Sequence, residues 1–398
     1  MIELYSKKQN CCGCTACLSI CGQKAITMAA DEEGFLYPKI NTKLCNECGL
    51  CTKVCSFKEN YDKSCNLETP VVYAVKHKSN EVRMSSTSGG MFTAISDYIL
   101  SKNGYVFGVS FDDDFNVVHK KAANKKECDE FKGSKYVQSN LKDIFKQIKL
   151  ELEKKEIVLF TGTPCQTAGL KSYLNKEYVN LYLVDLVCHG TSSPLIWKEY
   201  VHFCENINKS KFKEFYFRAK DKGWEAHTEK AVYANGKIDF TSLLSKVNKT
   251  LYYSHMTLRP SCSECKFCNL KRPSDITIAD FWGIAKTMPE FKDEKGVSLV
   301  LVNTSKGQSL FSEISMTLEY RLSNTRDCLQ HNLQQPTAAS PLRDQFWNNY
   351  QKHGFKYIAG KYGNCRNAVK LRLFTRRIII IMLKRLGLYS RLKKVLNR

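Results

Sequence analysis

Two runs of four cysteines with one shared spacing constrain this chain more than any other feature. The first is Cys11-x-x-Cys14-x-x-Cys17-x-x-x-Cys21 and the second is Cys45-x-x-Cys48-x-x-Cys51-x-x-x-Cys55. With Cys12, nine of the 19 cysteines fall between Cys11 and Cys55. A C-x-x-C-x-x-C loop turns three sulfurs toward one point, and in a two-cluster arrangement the fourth thiolate comes from the other run. The pattern predicts two [4Fe–4S] clusters, one held by Cys11, Cys14, Cys17 and Cys55 and the other by Cys45, Cys48, Cys51 and Cys21. Cys12 falls outside the spacing and is not expected to be a ligand. The proline that usually follows such a run is replaced by Gly22 and Ser56, which removes a turn-setting residue without changing the ligand count.

A disulfide framework and zinc sites are the competing explanations. The opening residues, MIELYSKKQN, contain no apolar stretch, so a secretory signal is not expected and a reducing compartment disfavours disulfides. Zinc sites pair two C-x-x-C units rather than two four-cysteine runs. Residues 1–60 are accordingly expected to form a small bacterial-type ferredoxin domain, carrying single electrons in the cytoplasm.

A chain of 398 residues is long for one domain, and its 43% hydrophobic and 25% charged residues can build an ordinary core. The net charge of +22 is the unusual figure and points to an anionic partner. Residues 366–398 carry 11 Lys or Arg and no Asp or Glu. Within them the apolar run Ile378 to Leu383 is flanked by Arg376, Arg377, Lys384 and Arg385. The run is far shorter than the roughly 20 residues that span a bilayer. Residues 356–398 are therefore read as a basic amphipathic C-terminal helix suited to the inner membrane face. Docking on the chain's own body or on a partner is the alternative. Nucleic acid is not an expected partner, because Tyr389 is the one aromatic after Phe374 available for base stacking.

The polar stretch at residues 61–70 reads as a linker. Beyond it, strand-like runs at residues 71–75, 104–110, 157–160 and 180–188 alternate with helical apolar spacing around Ile95 to Leu100 and in DIFKQIKLELEKK. Further strands are expected at residues 212–217, 230–234 and 297–303, in an α+β region around 210–305. The fold class is thus a multidomain α+β and α/β protein, with a mixed core over residues 71–355. A third C-x-x-C-x-x-C loop, Cys262, Cys265 and Cys268, lies in that core. Cys165 and Cys188 each follow a buried strand, at the end where α/β sheets build their sites. Spacing alone leaves open whether a third cluster takes Cys262, Cys265 and Cys268, or Cys165, Cys188 and one C-x-x-C pair.

Several ordered segments carry a resemblance. GTPCQ (162–166), DLVCHG (185–190), FRAKDKGW (217–224), RPSCSEC (259–265) and DITIADFWG (275–283), with SSTSGG (85–90) and GSKYVQS (133–139) before them, resemble the coenzyme F420 hydrogenase/dehydrogenase beta-subunit family. The resemblance spans residues 70 to 350, with the ferredoxin domain in front. It implies an FAD and one [4Fe–4S] cluster in the core, with Cys165, Cys188, Cys262 and Cys265 as ligands and Cys268 as an extra thiol. Ser88, Gly89 and Gly90, before a helix, would offer backbone N–H groups to a flavin pyrophosphate, helped by Lys132, Ser134 and Lys135. Arg218, Lys220 and Trp224 would line a flavin or substrate surface, or form a basic edge beside a core tryptophan. His189 would tune the adjacent cluster or donate a proton.

The expected activity is that of an iron–sulfur flavoprotein oxidoreductase, passing electrons between the clusters and a flavin that reduces or oxidises an organic substrate. No catalytic residue is assigned and the direction of flow is open. Deazaflavin F420 and a precursor of cell-surface polysaccharide are the substrates considered, with a redox protein or small molecule as electron donor. The rival is a non-catalytic electron-transfer subunit feeding a partner enzyme.

Overall fold

The computed structural model describes residues 2–57 and 66–365. The first half of the expected linker, residues 61–65, and the basic run 366–398, with its membrane-surface reading, lie outside the described residues.

The cysteine-rich N-terminal segment folds around an antiparallel hairpin, β1 (Ile26–Ala30) and β2 (Leu36–Ile40). The short helix Ala16–Ile20 follows the first C-x-x-C loop and Leu50–Lys53 the second, so the internal repeat of the sequence is repeated in structure.

The following strands are β3 (Asn66–His77), β4 (Tyr105–Phe111), β5 (Val117–Ala122), β6 (Val158–Gly162) and β7 (Leu181–Leu186). Then come β8 (Phe212–Ala219), β9 (Thr228–Tyr233), β10 (Ile238–Asp239), β11 (Ile276–Asp280), β12 (Ser298–Thr304) and β13 (Leu318–Leu322). Eight of them form one mixed sheet in the order β13-β3-β12-β11-β7-β6-β4-β5. The neighbours β11-β7, β7-β6 and β6-β4 are parallel; the flanking pairs are antiparallel. Burial on both faces explains the continuous apolar runs of β6 and β12. The mixed α/β class expected from alternating strands and helices is borne out.

The strand reading needs two corrections. β3 begins at Asn66, inside the stretch read as linker, because Asn66 pairs with Thr304 across the sheet; polar residues at a half-exposed strand end carry no apolar signal. The region around 210–305 is not one unit either. β8, β9 and β10 form a separate three-stranded sheet, whereas β11 and β12 join the large one. Residues 356–361, read as the start of the tail, belong to the helical segment Arg343–Lys361 beyond its kink at Gly354, with Ile358 and Ala359 fully buried. Among the described residues, no helix is long and apolar enough to cross a membrane.

The N-terminal segment shares a hydrophobic core with the large sheet: Cys12, Cys14, Ala16, Val54 and Phe57 pack with Phe145, Phe160, Leu170 and Phe267. Gly169, in the helix Pro164–Leu174, makes this close approach feasible. A Cβ there would stand 2.7 Å from both Cβ and Sγ of Cys14.

Candidate metal centre

The unit β6–helix Pro164–Leu174–β7 decides where two cysteines stand. Thr163 caps the helix in a reciprocal box with Gln166, whose Oε1 accepts from the Thr163 N–H at 3.0 Å, and Pro164 occupies the first turn. These residues put Cys165 at the start of the helix, with the Thr163 hydroxyl 3.2 Å from its sulfur. Gln166 Nε2 donates to Ser139 Oγ, and that hydroxyl meets His119 Nδ1 at 2.9 Å. The GSKYVQS segment thus braces GTPCQ. A hydrogen bond from Cys12 lowers the pKa of Cys165, against burial, with Thr163 and Arg259 acting in the same direction.

β7 delivers Cys188 beside Cys165. Asp185, fully buried in β7, accepts from Thr277 at 2.6 Å and lies 3.2 Å from the buried Arg272 guanidinium. Arg272 also donates to the carbonyls of Phe267 (2.5 Å) and Leu186 (2.7 Å). This ion pair therefore fastens the Cys262–Cys268 loop to the end of the strand that carries Cys188. The sequence reading passed over it; the signal was an Asp inside an apolar strand and an Arg four residues after the last loop cysteine.

Cys165, Cys188, Cys262, Cys265 and Cys268 line one small cavity, together with Cys12 from the N-terminal segment. Burial, and then neighbouring Cys262, Cys165 and Cys265, push the Cys188 thiol well up; burial pushes Cys262 up to about 11. Several thiolates crowded in a buried place need a metal charge to coexist, which is what a cluster supplies. Among the described residues, no three His, Cys, Asp or Glu side chains converge on a single-ion site. A cubane is a larger guest whose thiolates each bind a different iron. The donor set suits such a guest. Cys268 stays beside Cys265, so the geometry gathers all five thiols of the two alternative sets.

The two N-terminal sets sit in different surroundings. Cys21, Cys45, Cys48 and Cys51 line one cavity of about 180 Å³, walled by Ile2, Ala25, Ile26, Ile40 and Leu50. Cys48 is exposed there. Cys14 is buried in the shared core and Cys55 packs against it, while Cys11 and Cys17 are close neighbours of both. Cys12 bridges, with its thiol against both Cys14 and Cys165.

The expected flavin residues meet at another place on the same end of the sheet. Ser134 N donates to Thr87 Oγ1 at 3.1 Å, joining the GSKYVQS and SSTSGG loops. Gly89, however, spends its groups inside the fold: its N–H donates to Ser298 Oγ and its carbonyl accepts from His77 N. Ser88 Oγ donates to Val297 O. Neither the Gly89 amide nor the Ser88 hydroxyl is thus directed at a ligand. Gly90 starts the helix Met91–Ser101 without a capping side chain. Lys132 pairs with Asp129 at 2.7 Å, and Lys135 donates to the carbonyls of Glu130 and Lys132, with burial bringing its pKa down to about 7.

Lys220 reaches the same loops, donating to the carbonyls of Arg83, Ser88 and Lys295. Arg218 bonds Tyr136 and pairs with Asp280 at 3.1 Å, and Trp224 Nε1 donates to that same Asp280. Trp224 stacks on Trp282, which stacks on His227. Arg218 and Trp224 are therefore held together rather than spread along an edge. His189 lies 3.0 Å from His255 and 3.3 Å from Asn332 Oδ1. His255 in turn lines a cavity of about 480 Å³ that also touches Cys262.

Residues 155–327 match the family model for the carboxyl-terminal part of the coenzyme F420 hydrogenase/dehydrogenase beta subunit. Among solved structures, a chain of the xenon-derivatised F420-reducing [NiFe] hydrogenase complex from Methanosarcina barkeri is similar at 16% identity and a TM-score of 0.44. The match covers 75% of this chain and 92% of that one. A comparison with curated proteins finds no match.

Proposed function

On the match of residues 155–327 to the carboxyl-terminal model of the F420 hydrogenase/dehydrogenase beta-subunit family, we propose that this chain is an iron–sulfur oxidoreductase whose clusters pass single electrons across the seam between its N-terminal segment and its core. The clusters are assigned to Cys45, Cys48, Cys51 and Cys21 (outer), to Cys11, Cys14, Cys17 and Cys55 (inner), and to Cys165, Cys188, Cys262 and Cys265 (core). When bound, they supply one-electron relay, and a flavin supplies the exchange between single electrons and a two-electron organic substrate.

One observation carries this reading. Cys12 touches both Cys14 of the inner set and Cys165 of the core set, so the two sets are separated by one side chain inside a continuous apolar core. The protein's own residues then exclude water from the seam, hold the thiols, and leave the outer set open to a redox partner at Cys48.

A flavin in the core is assigned to the joined loops, with Ser134 and the uncapped helix start at Gly90 around them and the Trp282–His227 stack as an apolar platform nearby. With Gly89 engaged internally, the phosphate contacts fall to the first turn of Met91–Ser101 and to Lys132, Ser134 and Lys135. A polysaccharide precursor or F420 as substrate, and attachment of residues 366–398 to the inner membrane face, extend the same proposal. A second reading, an electron-transfer subunit that serves a partner enzyme, is favoured by the family's description as a beta subunit.

Anaerobic purification with iron, sulfide and flavin quantified together tests the assignment. About twelve irons per chain are expected, four for each cubane, with one FAD. About eight irons in the wild type would remove the core cluster, and absence of flavin would leave the electron-transfer subunit as the better reading. Cys188→Ser should lose about four irons and Cys268→Ser none; the reverse result would transfer the ligand role to Cys268.

A further inference from the structure

Arg259 is 2% exposed and lies across the seam. Its Nε donates to Cys11 O at 2.9 Å, Nη1 to Gln138 Oε1 at 2.7 Å and Nη2 to Leu36 O at 3.1 Å; Nη2 is also 3.9 Å from Cys11 Sγ. The guanidinium sits 4.2 Å from the Tyr37 ring centre and 5.4 Å from that of Phe35. The loop between Cys12 and Cys14 is folded around it. Gly13 has φ +71, and a Cβ there would stand 3.0 Å from Arg259 Nη1.

None of these hydrogen-bond partners is a carboxylate. A buried guanidinium without a counter-charge is costly, so its balance must come from other anions nearby. The inner set lies on one side, with Cys11 Sγ 3.9 Å from Nη2, and the core set on the other, where Arg259 lines one cavity with Cys165, Cys188, Cys262 and Cys265. Arg259 thus faces two ligand sets at once, within a core where charges are weakly screened. The outer set differs: among the described residues, no Lys or Arg lines its cavity.

We propose that Arg259 is a positioning residue that raises the reduction potentials of the inner and core clusters together, making the seam a favourable resting place for an electron. The proposal rests on the cluster assignment above. A cubane with four thiolates is already anionic, and reduction adds one more negative charge; a fixed cation and an N–H directed at a ligand sulfur favour that state.

Redox titration of the full-length protein, followed by electron paramagnetic resonance, tests it. Arg259→Gln keeps donor groups and Arg259→Met keeps bulk; in either one that retains its iron, the inner and core potentials should shift negative while the outer one stays. Arg259→Lys should stay nearer the wild type. Iron lost from both neutral variants but kept in Arg259→Lys supports the same role for the charge. Unmoved potentials at full iron content, an equal shift at the outer cluster, or iron loss in all three variants would overturn it. Iron counting on the wild type stands apart: about eight irons would refute the core cluster, and the inner potential would then decide the role of Arg259 alone.

Discussion

The two N-terminal cysteine runs are identical in spacing and opposite in environment. The outer set surrounds an open cavity with Cys48 exposed, whereas the inner set is pressed against the helix Pro164–Leu174 and the Arg259 guanidinium. Spacing therefore sets what a loop can bind, and packing sets what the bound group does. On the proposed reading, the outer half gives access and the inner half transfer into the core.

Substitutions on the core side of the seam should have the largest effects. Asp185→Asn leaves the buried Arg272 unpaired, and breaking such a pair costs about 3–5 kcal/mol. A lowered denaturation midpoint, with loss of core iron, is expected; an unchanged midpoint would show that the Cys262–Cys268 loop is held by other means.

Gly169→Ala comes next. At an open helix position the change would stabilise by about 1 kcal/mol, but here the new methyl meets Cys14. Overpacking of about 1–3 kcal/mol should prevail, read as a lower urea midpoint and slower reduction of the core by a donor that enters at the outer cluster. A gain in stability would mean that the seam is looser than the inner–outer contrast requires.

Acid should weaken the inner side. Burial lowers the pKa of His119 to about 4, whereas an unfolded histidine titrates near about 6.5. As pH falls below the unfolded value the unfolded chain takes up a proton that the native state refuses, so stability is lost between those two values. From pH 7 to about 5.5 His119 should contribute a loss of about 1 kcal/mol, beside that of His227, whose pKa burial also lowers to about 4, and His119→Gln should remove its own share. An unchanged slope in this variant would assign the effect to other groups.

At the outer end the effect on stability should be smallest. Cys48→Ser is expected to lose about four irons and direct coupling to a protein donor, while the midpoint moves by less than about 0.5 kcal/mol. A large loss of stability there would erase the distinction between the halves.

Much of the site was legible before the fold. The runs around Cys11 and Cys45 carry the spacing that a cubane would demand of a local loop, and the strand-end positions of Cys165 and Cys188 followed from apolar runs ending at polar motifs. The same reasoning missed the role of Gly89, which looked free for a phosphate but closes against β3 and β12. It missed Cys12, dismissed by its spacing and yet the side chain that touches both sets. Asp185 and Arg272, 87 residues apart, carried no shared local pattern.

By itself the sequence determined the cysteine loops proposed to bind clusters and the alternating core, since each depends on neighbours within a few residues. Tertiary structure decided which of two equal cysteine runs faces the core and which faces solvent. It also decided that β11 and β12 complete the large sheet and that Arg259 lies between two sets of thiols. Those outcomes depend on contacts between segments far apart in the chain, formed where apolar burial and the need to balance buried charge can be met together.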